Sequence, residues 1–175
     1  VGVLGPNGRG IWEHFWVSDK VDFKIGSLAK AVAGGLGGFV ACNKEMAEYL
    51  RVTSSHYIFG GSIPPAVAAS ILVNLQTLMS EPWRREKVLE NADYLREKLR
   101  SHGYVALGEH SPIVPIVVGN SEDSIRISEA LITEGYYVPP FRFPATPENQ
   151  AIIRVTVMAT HTKEHLEGLV DAFIG

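Results

Sequence analysis

Residues 66–79 constrain this chain most. After Pro64-Pro65 the sequence predicts a helix that is apolar on nearly every face, from Ala66 through Leu72 to Met79. A helix with no polar side has to be buried by the rest of the protein. It is too short to span a bilayer, and Asn74 and Gln76 interrupt it, so a membrane segment is not expected. The 175 residues, 46% of them hydrophobic, suit one globular domain or two small ones. A net charge of −3 gives no basic footprint for nucleic acid. The single cysteine, Cys42, excludes an internal disulfide, and a reduced, cytoplasmic setting is the default.

Punctuation and periodicity divide the rest. Residues 1–20 are loop-rich around Gly5-Pro6-Asn7-Gly8-Arg9-Gly10. The N-terminus has neither an initiator methionine nor a signal-peptide pattern and reads as a chain entered in mid-fold. Short strands are expected over 21–25 and 38–42, then a helix capped by Asn43 and running to about Arg51. Residues 57–65 read as a strand or loop ending at prolines. A helix begins at Ser80-Glu81-Pro82, with Val88, Ala92, Leu95 and Leu99 on one face, and stops near Gly103. A strand over 113–118, a helix over 122–134 capped by Ser121 and stopped by Gly135, a short extended piece at 136–138 and a strand over 152–158 follow. A last helix is capped by Thr162 and carries Leu166, Leu169, Val170 and Phe173. This second part is a compact α+β unit. The expected boundary lies near residue 80.

Two cations stand out. Lys30, in Ser27-Leu28-Ala29-Lys30-Ala31, lies between a hydrophobic strand and the glycine run 34–38. An amine kept uncharged there becomes a nucleophile toward an aldehyde; the plainer alternative is a surface loop lysine. Arg154 sits alone in Ile152-Ile153-Arg154-Val155, so it must be paired or face a cleft. The glycine run is not a phosphate-binding P-loop, because no Gly-Lys-Ser/Thr follows it. The histidines lack metal-ligand spacing, and no metal is expected. His161 suits a structural role.

In order along the chain, these segments resemble the α-oxoamine synthase family of pyridoxal-phosphate (PLP) enzymes, with the aspartate-aminotransferase-like fold. The resemblance rests on Gly2-x-x-Gly5 with Gly8-Arg9-Gly10, Glu13-His14-Phe15, Ser27 to Ala31, Tyr57-Ile58-Phe59 through Pro64-Pro65, Ser111-Pro112-Ile113-Val114-Pro115, and Arg154 through His161-Thr162. Pro144-Ala145-Thr146-Pro147 is similar to the form found in serine palmitoyltransferase-like members.

The resemblance implies an α/β fold. Residues 1–80 would be the C-terminal part of a large PLP-binding domain with a mostly parallel sheet, and residues 81–175 a small C-terminal α+β domain. It implies that Lys30 forms the imine with PLP, at a depressed pKa supplied by burial, and acts as acid and base. Ser27 would hydrogen-bond the cofactor phosphate. Gly60 and Gly61 stand where many members carry hydroxyl residues, leaving backbone N–H groups to reach that phosphate. Arg154 would grip the amino acid's carboxylate with its guanidinium fork. The implied reaction is decarboxylating condensation of a small amino acid with an acyl-CoA, in a homodimer whose sites form between subunits. The family's stacking histidine, ring aspartate and phosphate loop precede its lysine, so the chain is expected to be a C-terminal fragment, inactive alone. An aminotransferase of the same fold and a non-catalytic partner module remain open alternatives.

Overall fold

The computed structural model describes residues 1–32 and 35–175. They form two compact units, Val1–Arg85 and Glu86–Gly175.

The first unit opens with a loop of tight turns, a short helix α1 (Ile11–His14) and a 3₁₀ turn over Ser18–Lys20. That turn delays the first strand to β1 (Lys24–Ser27), three residues beyond the expected start at Val21. β1 pairs antiparallel with β2 (Gly38–Ala41), in a register that sets Lys24 opposite Ala41 and Ser27 opposite Gly38. Helix α2 (Lys44–Thr53) starts as expected: the Asn43 side chain accepts a hydrogen bond from the Met46 N–H at 2.8 Å, a cap of about 1 kcal/mol.

Residues 57–59 are not extended. They belong to a short helix α3 (Ser55–Phe59), because the Ser54 carbonyl accepts from both Tyr57 and Ile58 N–H at 3.0 Å and closes a helical turn. Helix α4 (Pro65–Ser80) matches the apolar run, but its burial does not match the expectation. Ile71 is its buried residue, whereas Leu72, Val73 and Met79 are 57%, 60% and 81% exposed.

The second unit contains most of α5 (Trp83–Ser101), then β3 (Ile113–Gly119), α6 (Ser121–Thr133), β4 (Pro140–Phe141), β5 (Ala151–Thr156) and α7 (Lys163–Ile174). Its sheet has the order β3-β5-β4 and is antiparallel throughout. Alternation along β5 buries Ala151, Ile153 and Val155, and Ile153 and Val155 share one core with Ala92, Leu95 and Leu99 of α5, Leu131 of α6 and Leu166, Leu169 and Val170 of α7. The cap of α6 is Asn120, one residue before the expected Ser121; its Oδ1 accepts from the Glu122 N–H at 2.7 Å. Thr162 caps α7 in a reciprocal box with His165.

The mostly parallel sheet is therefore not found: among the described residues both sheets are small and antiparallel. Parallel neighbours need a crossover of a dozen residues or more, while only residues 28–37 separate β1 from β2 in the sequence. No helix of the described residues is long and apolar enough to cross a membrane.

Candidate active site

The β1–β2 pair presents Lys30. The Leu28 N–H donates to the Gly37 carbonyl at 3.0 Å, which closes the connection that carries the lysine. Gly37 has φ +99°, and a Cβ there would lie 3.1 Å from Ile63 Cδ1. The segment after α3 thus packs against the same connection. Gly34, the first glycine of the run, lies outside the described residues.

Lys30 is exposed, so the burial expected for it is not met. Among the described residues none hydrogen-bonds to or pairs with its ammonium group. Ser27 ends β1, and its Oγ accepts from the Ala29 N–H at 3.2 Å. That is a local serine turn, and it leaves the hydroxyl proton free to donate outward. Gly60 and Gly61 are exposed and differ in cause. A Cβ on Gly60 would meet the His56 carbonyl oxygen at 2.2 Å, whereas nothing lies within 4 Å of one on Gly61. An accessible primary amine, an outward hydroxyl donor and exposed backbone around a glycine pair suit a group with one aldehyde and one phosphate. The residues present fit PLP in that chemical sense.

The loop before α1 is ordered by Glu13, which is buried at 8% exposure. Its carboxylate accepts from the Asn7 N–H at 3.0 Å, the Asn7 Nδ2 at 2.9 Å and the Arg9 N–H at 3.1 Å. Burial pushes the carboxyl pKa up, but these bonds and the Arg9 charge outweigh it and hold it below its ordinary value. A carboxylate depressed in the folded state stabilises fully above its unfolded pKa and less as the pH falls through its folded one. The Asn7 and Arg9 amides are therefore expected to lose protection from exchange on acidification below the ordinary carboxylate range. Glu13→Gln should flatten that response, measured by hydrogen exchange against pH.

Arg154 belongs to the second unit. It lies opposite Pro115 in the sheet, and its guanidinium is 5.2 Å from the Phe141 ring centroid. Its Nε is buried without a hydrogen-bond partner. It borders a cavity of about 580 Å³ lined also by Tyr136, Met158, His161, His165 and Leu169. The residue lines the cavity, while the Nε itself is shielded from solvent. His161 is structural in part: its Nδ1 accepts from the Met158 N–H at 3.3 Å, and the Asn91 side chain donates to the Met158 and His161 carbonyls at 3.1 and 2.8 Å. Burial, then the nearby His165, pushes the His161 pKa below its ordinary 6.5. The unfolded chain then takes up the proton first, so acidification below about 6.5 is expected to destabilise this unit. His161→Gln, which retains an acceptor, should remove that component from a series of urea midpoints against pH.

Asn91, Arg96 and Glu13 are buried polar groups that sequence patterning did not single out for these tasks. Periodicity could have flagged Asn91 and Arg96, since both fall beside Ala92 and Leu95 on the apolar stripe of α5.

The chain belongs to the aminotransferase class I and II family, within its α-oxoamine synthase branch; the family model matches residues 1–173. It is 36% identical to 8-amino-7-oxononanoate synthase of Lysinibacillus sphaericus over 97% of this chain and 43% of that protein. It is 34% identical to serine palmitoyltransferase of Sphingobacterium spiritivorum, over 99% of this chain and 43% of that one. A high-resolution structure of SPT with PLP internal aldimine superposes with a TM-score of 0.92 at 32% identity, covering 99% of this chain and 44% of that one. The chain thus spans less than half the length of these relatives.

Proposed function

We propose that residues 1–175 supply the lysine-bearing segment and the small C-terminal domain of a PLP-dependent acyltransferase that condenses a small amino acid with an acyl-CoA. The observation that carries this reading is Lys30, an exposed amine without a partner among the described residues, on a closed turn three residues after an outward serine hydroxyl. Similarity across nearly the whole chain to 8-amino-7-oxononanoate synthase and serine palmitoyltransferase supports it.

PLP, when bound, supplies the electron sink for the carbanion chemistry. The protein's share is binding, orientation and proton transfer. Lys30 provides the covalent anchor and moves the proton at the amino acid's Cα. The Ser27 hydroxyl and the backbone N–H groups of Gly60 and Gly61 hold the phosphate. Arg154 holds the amino acid's carboxylate with its guanidinium fork. Residues 1–80 are assigned to the cofactor domain and 81–175 to the small domain. The exposed apolar surface of α4 supports assembly with further protein, as a longer chain and a homodimer would provide.

The test is borohydride reduction of the full protein that carries these residues, in the presence of PLP, followed by peptide mapping. Label concentrated on Lys30 over Lys24 and Lys44 is expected; label spread evenly over the lysines would sink the assignment. Spectral titration with small amino acids and then acyl-CoAs separates this reaction from an aminotransferase, which would show no dependence on CoA. Arg154→Ala is expected to weaken amino-acid saturation by roughly tenfold or more, the equivalent of one charge-assisted hydrogen bond.

A further inference from the structure

Glu13 is the most heavily used buried acid outside the proposed site, and its effect reaches Lys30. Its three accepted hydrogen bonds fix Asn7 and Arg9. The same loop is held from its other side by Arg85, 9% exposed, whose Nη atoms donate to the Pro6 carbonyl at 3.2 Å and the Leu78 carbonyl at 2.7 Å. The loop then closes on itself: the Gly2 N–H donates to the Gly8 carbonyl at 2.7 Å, and Gly10 N–H to Leu4 at 2.9 Å. Gly8 is pressed on Arg85, since a Cβ there would lie 2.8 Å from Arg85 Cδ.

What the closed loop touches gives it a purpose. A Cβ on Gly2 would lie 2.9 Å from the Ala31 Cβ. Gly2 has φ +91°, a left-handed conformation that suits glycine, so the backbone is shaped to lie flat against the residue after Lys30. The next residue, Val32, is fully buried. Lys30 itself is exposed and held by no partner among the described residues. The position of its backbone is therefore set by contacts of the neighbouring residues, and the Gly2–Ala31 approach is one of them.

We propose that Glu13 is a positioning residue for Lys30, acting through the loop 2–10 and its contact with Ala31. The proposal rests on the reading of Lys30 as the cofactor-binding lysine. An acid placed here satisfies three donors with one side chain, so a single change loosens the loop without touching the lysine. A carboxamide at this position retains one acceptor oxygen and part of the function.

The test uses the full protein that carries these residues, with PLP and borohydride, and labelling of Lys30 is read against Lys44 in the same digest. Hydrogen exchange at Ala31 and Val32 is followed in parallel, with Leu95 as a control for the second unit. Glu13→Ala is expected to lower the Lys30:Lys44 ratio about tenfold and to speed exchange at Ala31 and Val32, leaving Leu95 unchanged. Glu13→Gln should restore much of the ratio. Asn7→Ala, which removes one donor at an exposed position, should lower it about threefold and decides the matter if Glu13→Ala fails to fold. A ratio preferring Lys30 in the wild type but unmoved in folded variants overturns the positioning role while leaving the lysine assignment intact. No preference for Lys30 in the wild type removes the lysine assignment and the positioning role with it.

Discussion

Arg96→Ala is expected to destabilise the unit Glu86–Gly175 by about 3 kcal/mol or more, lowering its melting temperature by roughly 15 °C. Arg96 lies on the core-facing side of α5 at 2% exposure. Its Nε donates to the Leu107 carbonyl at 3.0 Å, and one Nη donates to the Gly108 and Ser111 carbonyls at 2.7 and 3.0 Å. The other Nη pairs with Asp93. Three backbone acceptors in one loop thus depend on one guanidinium. Truncation leaves those carbonyls to find water in a place shaped around an arginine. Lysine, with one nitrogen, cannot span three carbonyls in a plane, so Arg96→Lys should recover less than half of the loss. Asp93→Ala, whose side chain is half exposed, is expected to cost no more than about 1 kcal/mol. Chemical denaturation of the three variants separates the loop staple from the surface ion pair.

The same residue shows where sequence reasoning reached its limit. The α5 stripe of Ala92, Leu95 and Leu99 was legible because helical periodicity is local, and so were the caps at Asn43 and Thr162. The alternation of β5 was legible for the same reason. Pairing was not: the antiparallel arrangement depends on which strands meet, and a family resemblance supplied a parallel sheet that these residues do not form. α3 was missed because Tyr57-Ile58-Phe59 favours extended structure, while the hydrogen bonds that close its turn are made to Ser54, outside that triplet. Of the proposed site, Lys30 and Arg154 could be singled out from chemistry, while Ser27 and the role of each came from the family resemblance. Their surroundings could not, because the Asn91 contacts span 67 and 70 residues and the Gly2–Ala31 approach joins distant backbone. The exposure of Lys30 is the plainest correction: the turn that carries it does not bury its side chain.

Leu95→Ala is expected to cost about 3–4 kcal/mol, whereas Leu72→Ala should change stability by less than about 0.5 kcal/mol in this chain. Both are helical leucines, so propensity and side-chain chemistry cancel and only environment differs. Leu95 is fully buried in the core of the second unit, where truncation removes packing and leaves a cavity. Leu72 stands 57% exposed on α4, where truncation removes contacts with water. The contrast also probes the proposed assembly. If α4 is covered in the functional protein, Leu72→Ala becomes costly there by an amount set by the newly buried side chain, about 1.5–3 kcal/mol. Urea denaturation of both variants in the 175-residue chain, and of Leu72→Ala in the full-length assembly, measures the difference directly. A Leu72 cost that stays near zero in the assembly would mean that this face of α4 is solvated there as well.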